Sequence, residues 1–433
     1  LTPLSSCPDL RSVDLEANNL SVIDLGPLSK CPRLEIIDLS SNIINEINLE
    51  PLSHCSKLKR IDLDGNQLTD ASLWPLAGCL NLTKIFLNGN KIPFIDLSPV
   101  ANWTDLIVLD LSTNQLTGVN LRPLEKCAKL ESLLLHSNRL ASIDLSPMGA
   151  SKRLTLVRLD ANALTRIGLS PLSGCSKLTE LNLADNRLAE VDLSPVNKCS
   201  ELLYLYLSNN QLRSIDLAPL RGCSHLKFLT LFKNKLASIN LAALAACPEL
   251  ERLDLDSNEL NAIDLEPITN CRELKELDLS GNQINKIDLD PLKRCRKLES
   301  LRLDGNHLTE IGLGPLAKLT GLEKLFLNGN SFERVNLGPL TYCLSLEILS
   351  LSGNNLRRID LVPLSKCENL TILDISANRF ESLDLSPLFS CPALQGLDLP
   401  YHIKPTAKVA LSNSTILPMA LGMLIENDGI DWI

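Results

Sequence analysis

A chain of 433 residues is too long to fold around one round hydrophobic core, so several domains or an array of repeats is expected. Hydrophobic residues make up 45% of it, aromatic residues only 3%, and the net charge is −9. Nucleic acids and anionic membranes are bound through basic faces, so this charge argues against both as partners. No uninterrupted apolar run reaches the roughly 18 residues that a membrane-spanning helix needs.

The chain begins inside a repeating pattern. Residues 1–7, LTPLSSC, match the end of a repeat whose earlier part would precede residue 1. Terminal repeats of an array ordinarily carry a polar cap, and none is present here. We therefore expect that the array once extended further upstream or that a cap was removed.

An asparagine then recurs every 24 residues without a slip. A period of this length is typical of a solenoid built from stacked repeats. The pattern around each asparagine is LxxLxLxxNxLxxIDLxPLxxCxx. The ladder consists of Asn18, Asn42, Asn66, Asn90, Asn114, Asn138, Asn162, Asn186, Asn210, Asn234, Asn258, Asn282, Asn306, Asn330, Asn354 and Asn378.

Each part of the repeat predicts a local structure. In LxL, alternation sends the leucines inward and the residue between them outward, as in a strand. The asparagine side chain can satisfy backbone groups in the turn that follows. IDL predicts a short extended segment, and the proline after it, replaced once by Ala243, suits the first position of a helical turn. A serine often precedes that proline and is predicted to be the N-cap: Ser98, Ser146, Ser170, Ser194 and Ser386.

These motifs resemble those of the leucine-rich-repeat superfamily over about residues 1–400. The resemblance implies an α/β leucine-rich-repeat solenoid, curved like a horseshoe, with a parallel β-sheet on the concave face. Short extended segments and one-turn helices would form the convex side. We expect residues 1–400 to hold about 16 full repeats with a partial repeat at each end.

Residues 401–433 depart from the repeat, since His402 stands where an asparagine is due. We interpret them as a C-terminal capping segment, with Trp432 packing back on the last repeat. The alternative is a membrane or partner helix in TILPMALGMLI, but Pro418 and Gly422 weaken it.

All fourteen cysteines occupy one repeat position, which Trp103, Ser151 and Leu319 fill in three other repeats. A position that accepts Cys, Trp and Leu is predicted to be an apolar interior slot. Bridging between neighbouring repeats is sterically conceivable. We favour reduced thiols in a reducing compartment, and hence a cytoplasmic location. No CxxC pair suggests zinc, and the sequence predicts no metal and no cofactor.

The middle residue of IDL forms a second ladder, which is Asp in nine repeats and Asn in four. Calcium binding by stacked carboxylates is one alternative. Hydrogen bonding to the backbone is the interpretation we favour. The aspartates are Asp24, Asp96, Asp144, Asp192, Asp216, Asp264, Asp288, Asp360 and Asp384.

The sequence predicts a protein that is not an enzyme. Its five histidines fall at five different repeat positions, without a local motif that would activate a Ser or Cys nucleophile. The glycines cluster in GN turns rather than in phosphate-binding loops. Only His136 is expected on the inner sheet face, near Arg158 and Asp160.

Candidate binding residues were sought at the outward positions of the strands, because these are free to vary. Asp is the most frequent residue at the middle position, and we interpret it as a solvent-exposed default; the centre of the chain departs from it. Tyr204 is expected beside Phe228, with Tyr206 and Phe232 nearby. Exposed apolar surface of this kind marks interaction sites, although ring packing across strands is the alternative. The predicted partner-binding residues are Tyr204, Tyr206, Phe228, Phe232, Leu134, His136, Leu156, Arg158, Phe86 and Phe326.

Phe86, Tyr206 and Phe326 are each five repeats apart, and KIFLNGN (84–90) is nearly identical to KLFLNGN (324–330). A duplication of a block of repeats explains both facts, and three docking points are the alternative.

The outward positions carry more acidic than basic side chains, which predicts a protein partner with a basic rim and an apolar centre. The leading hypothesis is a non-enzymatic protein–protein interaction scaffold centred on residues 204–232. One alternative is the ligand-sensing portion of a larger signalling protein. A second is a cell-surface adhesive array, suggested by glycosylation sequons at Asn19, Asn81, Asn102, Asn369 and Asn413.

Overall fold

The computed structural model describes residues 1–411 and 417–433. The chain divides into two compact units, Leu1–Leu212 and Arg213–Ile433. The sequon at Asn413 and the start of the apolar stretch at residues 415–416 lie outside the described residues.

The first unit is a stack of repeats in which a three-residue strand alternates with a short 3-10 helix. Its strands β1 to β9 are Ser12–Asp14, Ile36–Asp38, Arg60–Asp62, Lys84–Phe86, Val108–Asp110, Ser132–Leu134, Leu156–Arg158, Glu180–Asn182 and Tyr204–Tyr206. Its 3-10 helices are Thr2–Ser6, Gly26–Lys30, Glu50–His54, Trp74–Leu76, Ser98–Asn102, Arg122–Lys126, Ser146–Ala150, Ser170–Gly174 and Ser194–Lys198. Neighbouring strands are parallel and pair in register one repeat apart, as Ser132 does with Leu156.

The described part of the second unit continues the same pattern. Strands β10 to β17 are Phe228–Thr230, Arg252–Asp254, Glu276–Asp278, Ser300–Arg302, Lys324–Phe326, Ile348–Ser350, Ile372–Asp374 and Gly396–Asp398. The 3-10 helices are Ala218–Gly222, Ala242–Ala246, Glu266–Asn270, Asp290–Arg294, Gly314–Lys318, Gly338–Tyr342, Val362–Lys366, Ser386–Ser390 and Val409–Leu411. These strands are also parallel and in register.

Alternation along the strands sets the position of the core. The central residue of β1 to β16 is buried, for example Leu205 in β9, while its two neighbours point to the exposed face of the sheet. Leucines before and after the strand fill the space between the sheet and the helical side. The exposed face therefore has no folding duty comparable to that of the leucines.

The asparagine ladder satisfies buried backbone groups, as the sequence predicts. Asn258 Oδ1 accepts the Leu236 N–H at 3.0 Å, and its Nδ2 donates to the carbonyls of Leu231 and Leu255 at 3.0 and 3.1 Å. The preceding residue adopts a left-handed conformation, with φ of +53° at Ser257, which explains why glycine is frequent there.

The cysteine position is an interior slot, which confirms that prediction for every cysteine except Cys7. Thirteen cysteines are buried and Cys7, in the first repeat, is exposed. Trp103, Ser151 and Leu319 are buried in the same position. Most of the buried thiols point at a carbonyl of the previous repeat, as Cys271 Sγ does at Leu244 O, 3.5 Å away.

The predicted serine N-caps are wrong, because each serine is the first residue of its helix. In the helix Ser98–Asn102 the capping position is Leu97, and Asp96 Oδ1 accepts the Ser98 N–H at 2.9 Å. The Asp two residues upstream already supplies the acceptor that a serine would provide. In thirteen of the described repeats the Asp or Asn at this position accepts the backbone N–H two residues later, which confirms the predicted backbone role of the second ladder. These side chains are Asp24, Asn48, Asp96, Asn120, Asp144, Asp192, Asp216, Asn240, Asp264, Asp288, Asn336, Asp360 and Asp384.

The segment after residue 400 packs on the end of the second unit. The helix α1, Met419–Glu426, packs on β17 and buries Leu421, while β18 (Thr406–Ala407) pairs with β19 (Asp431–Trp432). The Trp432 ring lies 6.3 Å from that of Phe389. None of the described helices has the length and apolar character that a bilayer span requires.

Candidate functional site

Large side chains gather on the exposed face of the sheet in the first unit. Leu134 ends β6, and the register of the strands puts it beside Arg158 of β7. Leu156, at the start of β7, lies beside Glu180 of β8, which in turn pairs with Tyr204 of β9. The four predicted residues of this set are half-buried, so their side chains reach solvent without being fully exposed: Leu134, Leu156, Arg158 and Tyr204.

Tyr204 and Tyr206 form the far end of this group. Their rings are stacked along the same strand, with centroids 6.3 Å apart and planes 5° from parallel. Both are half-buried. The stack presents a broad aromatic surface, of the kind that contributes most to binding at protein interfaces.

Arg158 is held between two carboxylates in the middle of the group. Its Nε lies 3.3 Å from Asp160 Oδ1 and 3.6 Å from Glu180 Oε1. Burial raises the pKa of the Glu180 carboxyl, while the Arg158 charge opposes that shift. These two carboxylates fix the orientation of the guanidinium. The strand register places Arg158 between Leu134 and Asn182.

His136 is half-buried on the same face. Burial lowers its pKa, and the positive charge of Arg158 lowers it further. The imidazole is therefore neutral at pH 7. Its buried Nδ1 has no hydrogen-bond partner among the described residues.

Several aspartates at the middle position of the strands are not solvent-exposed, contrary to the sequence interpretation, although Asp14 and Asp398 at the two ends are exposed as expected. Asp62, Asp110 and Asp254 are buried, the last with 3% of its surface exposed. Each accepts the backbone N–H of the residue two positions later, as Asp110 Oδ1 does from Ser112 N at 3.0 Å. This bond closes the turn after the strand. The same bond is made by Asp14, Asp38, Asp62, Asn182, Asp254, Asp278 and Asp374.

Leu134, Arg158 and Tyr206 occupy this position in three repeats of the first unit. Leucine and arginine have no acceptor for the turn bond, which contributes roughly 0.5–1.5 kcal/mol where it forms. The repeats of Leu134 and Arg158 therefore give up a local stabilising interaction for a large side chain on the exposed face.

Phe86 lies apart from this group, on β4. The guanidinium carbon of Arg60 is 5.1 Å from its ring centroid, and Arg60 also pairs with Asp62. Nearby, burial and the Asp62 charge raise the pKa of Asp64 to about 7. Asp64 Oδ1 accepts the Asn88 N–H at 2.7 Å.

The remaining predicted residues lie in the second unit. Phe228 begins β10 beside Arg252, and the Lys233 ammonium is 5.9 Å from the Phe232 ring centroid. Tyr204 and Tyr206 belong to the first unit, so their adjacency to Phe228 and Phe232 stays a prediction.

Phe326 resembles Phe86 in its surroundings. The Arg302 guanidinium carbon lies 4.6 Å from its ring centroid. Both phenylalanines thus stack with an arginine, an interaction that contributes about 0.5–1 kcal/mol at exposed sites. A duplicated block of repeats and a pair of docking points both account for this likeness.

Three carboxylates of the second unit come close enough to share a cation. The ligand atoms of Asp254, Asp256 and Asp278 lie within 4.8 Å of one another. Arg252 lies 3.2 Å from Asp254 and neutralises part of the charge. Burial raises the pKa of Asp254 to about 7, so a proton can relieve the remaining repulsion.

The chemistry of the described residues favours recognition over catalysis. Burial raises the pKa of the thiols, to about 12 for Cys271 and about 11 for Cys127, which makes them poor nucleophiles. The predicted site residues combine apolar, aromatic and ion-paired side chains. This composition is typical of a protein interface.

The sequence analysis overlooked several residues of the exposed face. Glu180, which lies 3.6 Å from the Arg158 guanidinium, was not among the predicted residues, whereas Asp160 was expected near Arg158 and lies 3.3 Å from it. Lys324 and Ile348, beside Phe326, were also overlooked. Plotting all outward positions by repeat would have found them.

A family model described as leucine rich repeat matches well over half of the chain, at residues 8–68, 81–140, 176–236, 248–308, 296–356 and 320–380. No curated protein sequence matches the chain significantly.

Solved structures share the fold. A leucine-rich-repeat protein of Leptospira interrogans superposes with a TM-score of 0.78 at 22% identity, over 91% of this chain and 97% of that one. The functional domain of InlJ from Listeria monocytogenes, which includes a cysteine ladder, gives 0.65 at 23% identity, over 85% and 74%. The leucine-rich-repeat ectodomain of the plant membrane receptor kinase GASSHO1/SCHENGEN3 from Arabidopsis thaliana was solved with CASPARIAN STRIP INTEGRITY FACTOR 2. It gives 0.81 at 25% identity, over 100% of this chain and 50% of that one.

Proposed function

Because the chain belongs to the leucine-rich-repeat family, whose fold generally serves as a protein-binding scaffold, we propose that it is a non-enzymatic scaffold. Its partner is a protein that binds the exposed sheet face of the first unit. The contact surface consists of Leu134, His136, Leu156, Arg158, Tyr204 and Tyr206, and is called the first-unit face below.

One observation supports this proposal above the others. Where neighbouring repeats use Asp110 and Asn182 to close the turn after the strand, Leu134 and Arg158 provide no acceptor. Having Leu or Arg in place of Asp or Asn removes the hydrogen bond that stabilises the turn, and the leucine leaves apolar surface in contact with water. A partner that covers the face offsets both losses.

The charges on the first-unit face suit a partner with a basic rim and an apolar centre. Asp110, Asp160 and Glu180 surround the leucines, and the whole chain carries a net charge of −9. Opposite charge on the partner would speed and orient its docking, while the leucines and tyrosines would supply affinity. The same negative charge disfavours nucleic acids and anionic membranes as ligands.

The test is affinity purification with the full chain as bait. The test variant carries Leu134→Ser, Leu156→Ser, Tyr204→Ser and Tyr206→Ser. The matched control carries Val22→Ser, Leu80→Ser and Phe94→Ser, which removes exposed apolar side chains of the same unit away from the strands. Circular dichroism establishes that both variants are folded.

We expect a protein that wild type and control recover equally and that the test variant loses. Its affinity, remeasured with purified components, should fall by at least about tenfold, because hot-spot residues contribute 2 kcal/mol or more each. Recovery of every partner by the test variant would contradict the proposal.

The buried thiols support a reducing, cytoplasmic location as a further part of the proposal. Burial raises the pKa of Cys391 to about 12 and that of Cys55 to about 11, so both remain protonated. Protein taken from its native source should yield all fourteen thiols on unfolding without reductant, and a lower number would favour the cell-surface alternative.

A second candidate function is the ligand-sensing portion of a larger signalling protein. Its support is the likeness to the Arabidopsis receptor kinase ectodomain, of which this chain spans about half. Sequencing the full reading frame distinguishes the two candidates, because the sensor requires a signalling domain encoded in the same frame.

A further inference from the structure

We infer that the second unit carries a separate docking groove, which takes an extended peptide segment with one acidic side chain beside a large apolar one. The groove has a volume of about 380 Å³ and crosses β11 to β15 on the exposed face of the sheet. Pockets of roughly 300–1,000 Å³ are the usual size for a bound ligand.

Phe326 and Ile348 form the apolar wall of the groove. The strand register puts Lys324 beside Ile348 and Arg302 beside Phe326. The Arg302 guanidinium stacks on the Phe326 ring at 4.6 Å, which fixes the ring in place. Ile372, next to Ile348 on β16, extends the wall and is 39% exposed. The wall can therefore receive an apolar side chain.

Most charges in the groove are already neutralised in pairs. Arg252 NH1 lies 3.0 Å from Glu276 Oε2, and Arg302 Nε lies 3.3 Å from Asp278 Oδ2. Lys324 is the one lining cation that, within the described residues, forms no ion pair. Arg252 also lies 3.2 Å from Asp254, and Arg302 Nε lies 3.5 Å from Asp304 Oδ1. A segment that carries one carboxylate would therefore supply the partner that only Lys324 lacks among the described cations of the groove.

The carboxylates that flank the groove do not take the place of a peptide carboxylate as the partner of Lys324. Glu299 and Glu323 directly precede β13 and β14, yet neither forms an ion pair with Lys324 in the described part of the chain. Neither lines the groove. Lys324 lines the groove together with Phe326 and Ile348, so a peptide carboxylate bound there would make a charge-assisted hydrogen bond to its ammonium.

This groove is independent of the first-unit face. It lies within the second unit, and its residues are distinct from those of the proposed protein site. Failure of one proposal therefore leaves the other standing.

The experiment selects phage-displayed random dodecapeptides on the full wild-type chain, after depletion on the Lys324→Glu chain. Selected peptides are synthesised with a fluorescent label and titrated by anisotropy against four proteins. These are wild type, Lys324→Met, Lys324→Glu and the control Lys318→Glu, whose exposed lysine lies on the 3-10 helix that precedes β14 in the chain.

We expect the selected peptides to share an Asp or Glu within two positions of a large apolar residue. Their affinity should fall about tenfold with Lys324→Met and further with Lys324→Glu, because a charge-assisted bond is lost and then replaced by repulsion. Lys318→Glu should stay within about twofold of wild type, since it is outside the groove.

Any of three results would overturn the inference. One is the absence of enriched peptides, and another is enrichment of peptides without a carboxylate. The third is equal affinity of the peptides for wild type and Lys324→Glu. Lys324→Met keeps an apolar stem of similar length and removes only the charge. If this variant is folded, its weaker peptide binding is due to the lost charge and not to a damaged sheet.

Discussion

The interior of the repeats and the exposed face of the sheet obey different rules, although the same 24-residue unit builds both. In the interior, Asn258 and its equivalents make the same bonds in repeat after repeat. On the face, equivalent positions hold Asp110, Leu134, Arg158 and Tyr206. The interior positions are uniform and buried, whereas the face positions vary both in residue type and in exposure.

The difference shows which positions of the repeat are constrained by folding and which are not. A buried polar group must be satisfied in every repeat, so the interior tolerates few solutions. Apart from the aspartates that close the turn after the strand, a side chain on the face contributes little to the stack, so its identity is free to serve a partner. The predictions below test whether the two regions differ in energy as they differ in sequence.

The largest difference is expected between two tryptophans. Trp103 is fully buried in the cysteine slot, whereas Trp74 is 58% exposed and bonds Asp96 Oδ2 at 2.9 Å. Trp103→Ala should lower the free energy of unfolding by about 3–5 kcal/mol, because it leaves a large cavity. Trp74→Ala should lower it by less than about 1 kcal/mol. Urea unfolding followed by circular dichroism measures both, and equal losses would remove the distinction.

A smaller loss is expected from the asparagine ladder. Asn258→Ala leaves the Leu236 N–H and two carbonyls without their partner, which should cost about 2–3 kcal/mol. Asn261→Ala, at an exposed position of the same repeat, is the matched control and should change stability by under about 0.5 kcal/mol. Urea unfolding is again the measurement. A loss below 1 kcal/mol for Asn258→Ala would show that the ladder is not a main source of stability.

Asp64 on the sheet face and Asp96 on the helical side of the repeats should have pKa values shifted in opposite directions. Burial beside Asp62 raises the pKa of Asp64 to about 7, whereas bonds from Ser98 lower the pKa of Asp96. Folded protein therefore holds a proton on Asp64 that the unfolded chain has released, so this group's contribution to stability falls as pH rises from about 4 to about 7. Asp96 behaves oppositely, and its contribution is lost as pH falls below its ordinary pKa.

Carbon-13 NMR of labelled aspartates gives both pKa values directly. We expect Asp64 to titrate near pH 7 and Asp96 below the ordinary range. An Asp64 pKa under 5 would mean that water reaches its carboxylate.

The interior could be predicted from the sequence because each repeated residue has one physical role. The period fixed the stack, and the acceptance of Trp103 and Leu319 at the cysteine position identified a buried slot. The Asp of IDL was expected to bond the backbone and does so. The serine caps were predicted wrongly. Both the Asp of IDL and the serine can accept a backbone N–H at the start of the helix, and the sequence does not show which of them does so.

The face could be predicted only in part. The departure of Leu134 and Tyr206 from Asp was visible in the sequence, but the burial of Asp62 and Asp254 was not. Both carboxylates also pair with an arginine of the same strand, Asp62 with Arg60 and Asp254 with Arg252. That Lys324 forms no ion pair with any described residue depends on side-chain directions that no repeat pattern specifies.

The most direct test of the account is the free energy of unfolding of a Leu134→Asp, Tyr206→Asp double variant. Both changes install the aspartate that closes the turn after the strand in other repeats, as Asp110 and Asp278 do. The account predicts a stability within about 1 kcal/mol of wild type, because the large side chains serve a partner rather than the fold. A loss of more than 3 kcal/mol would show that these side chains hold the sheet together, and would contradict it.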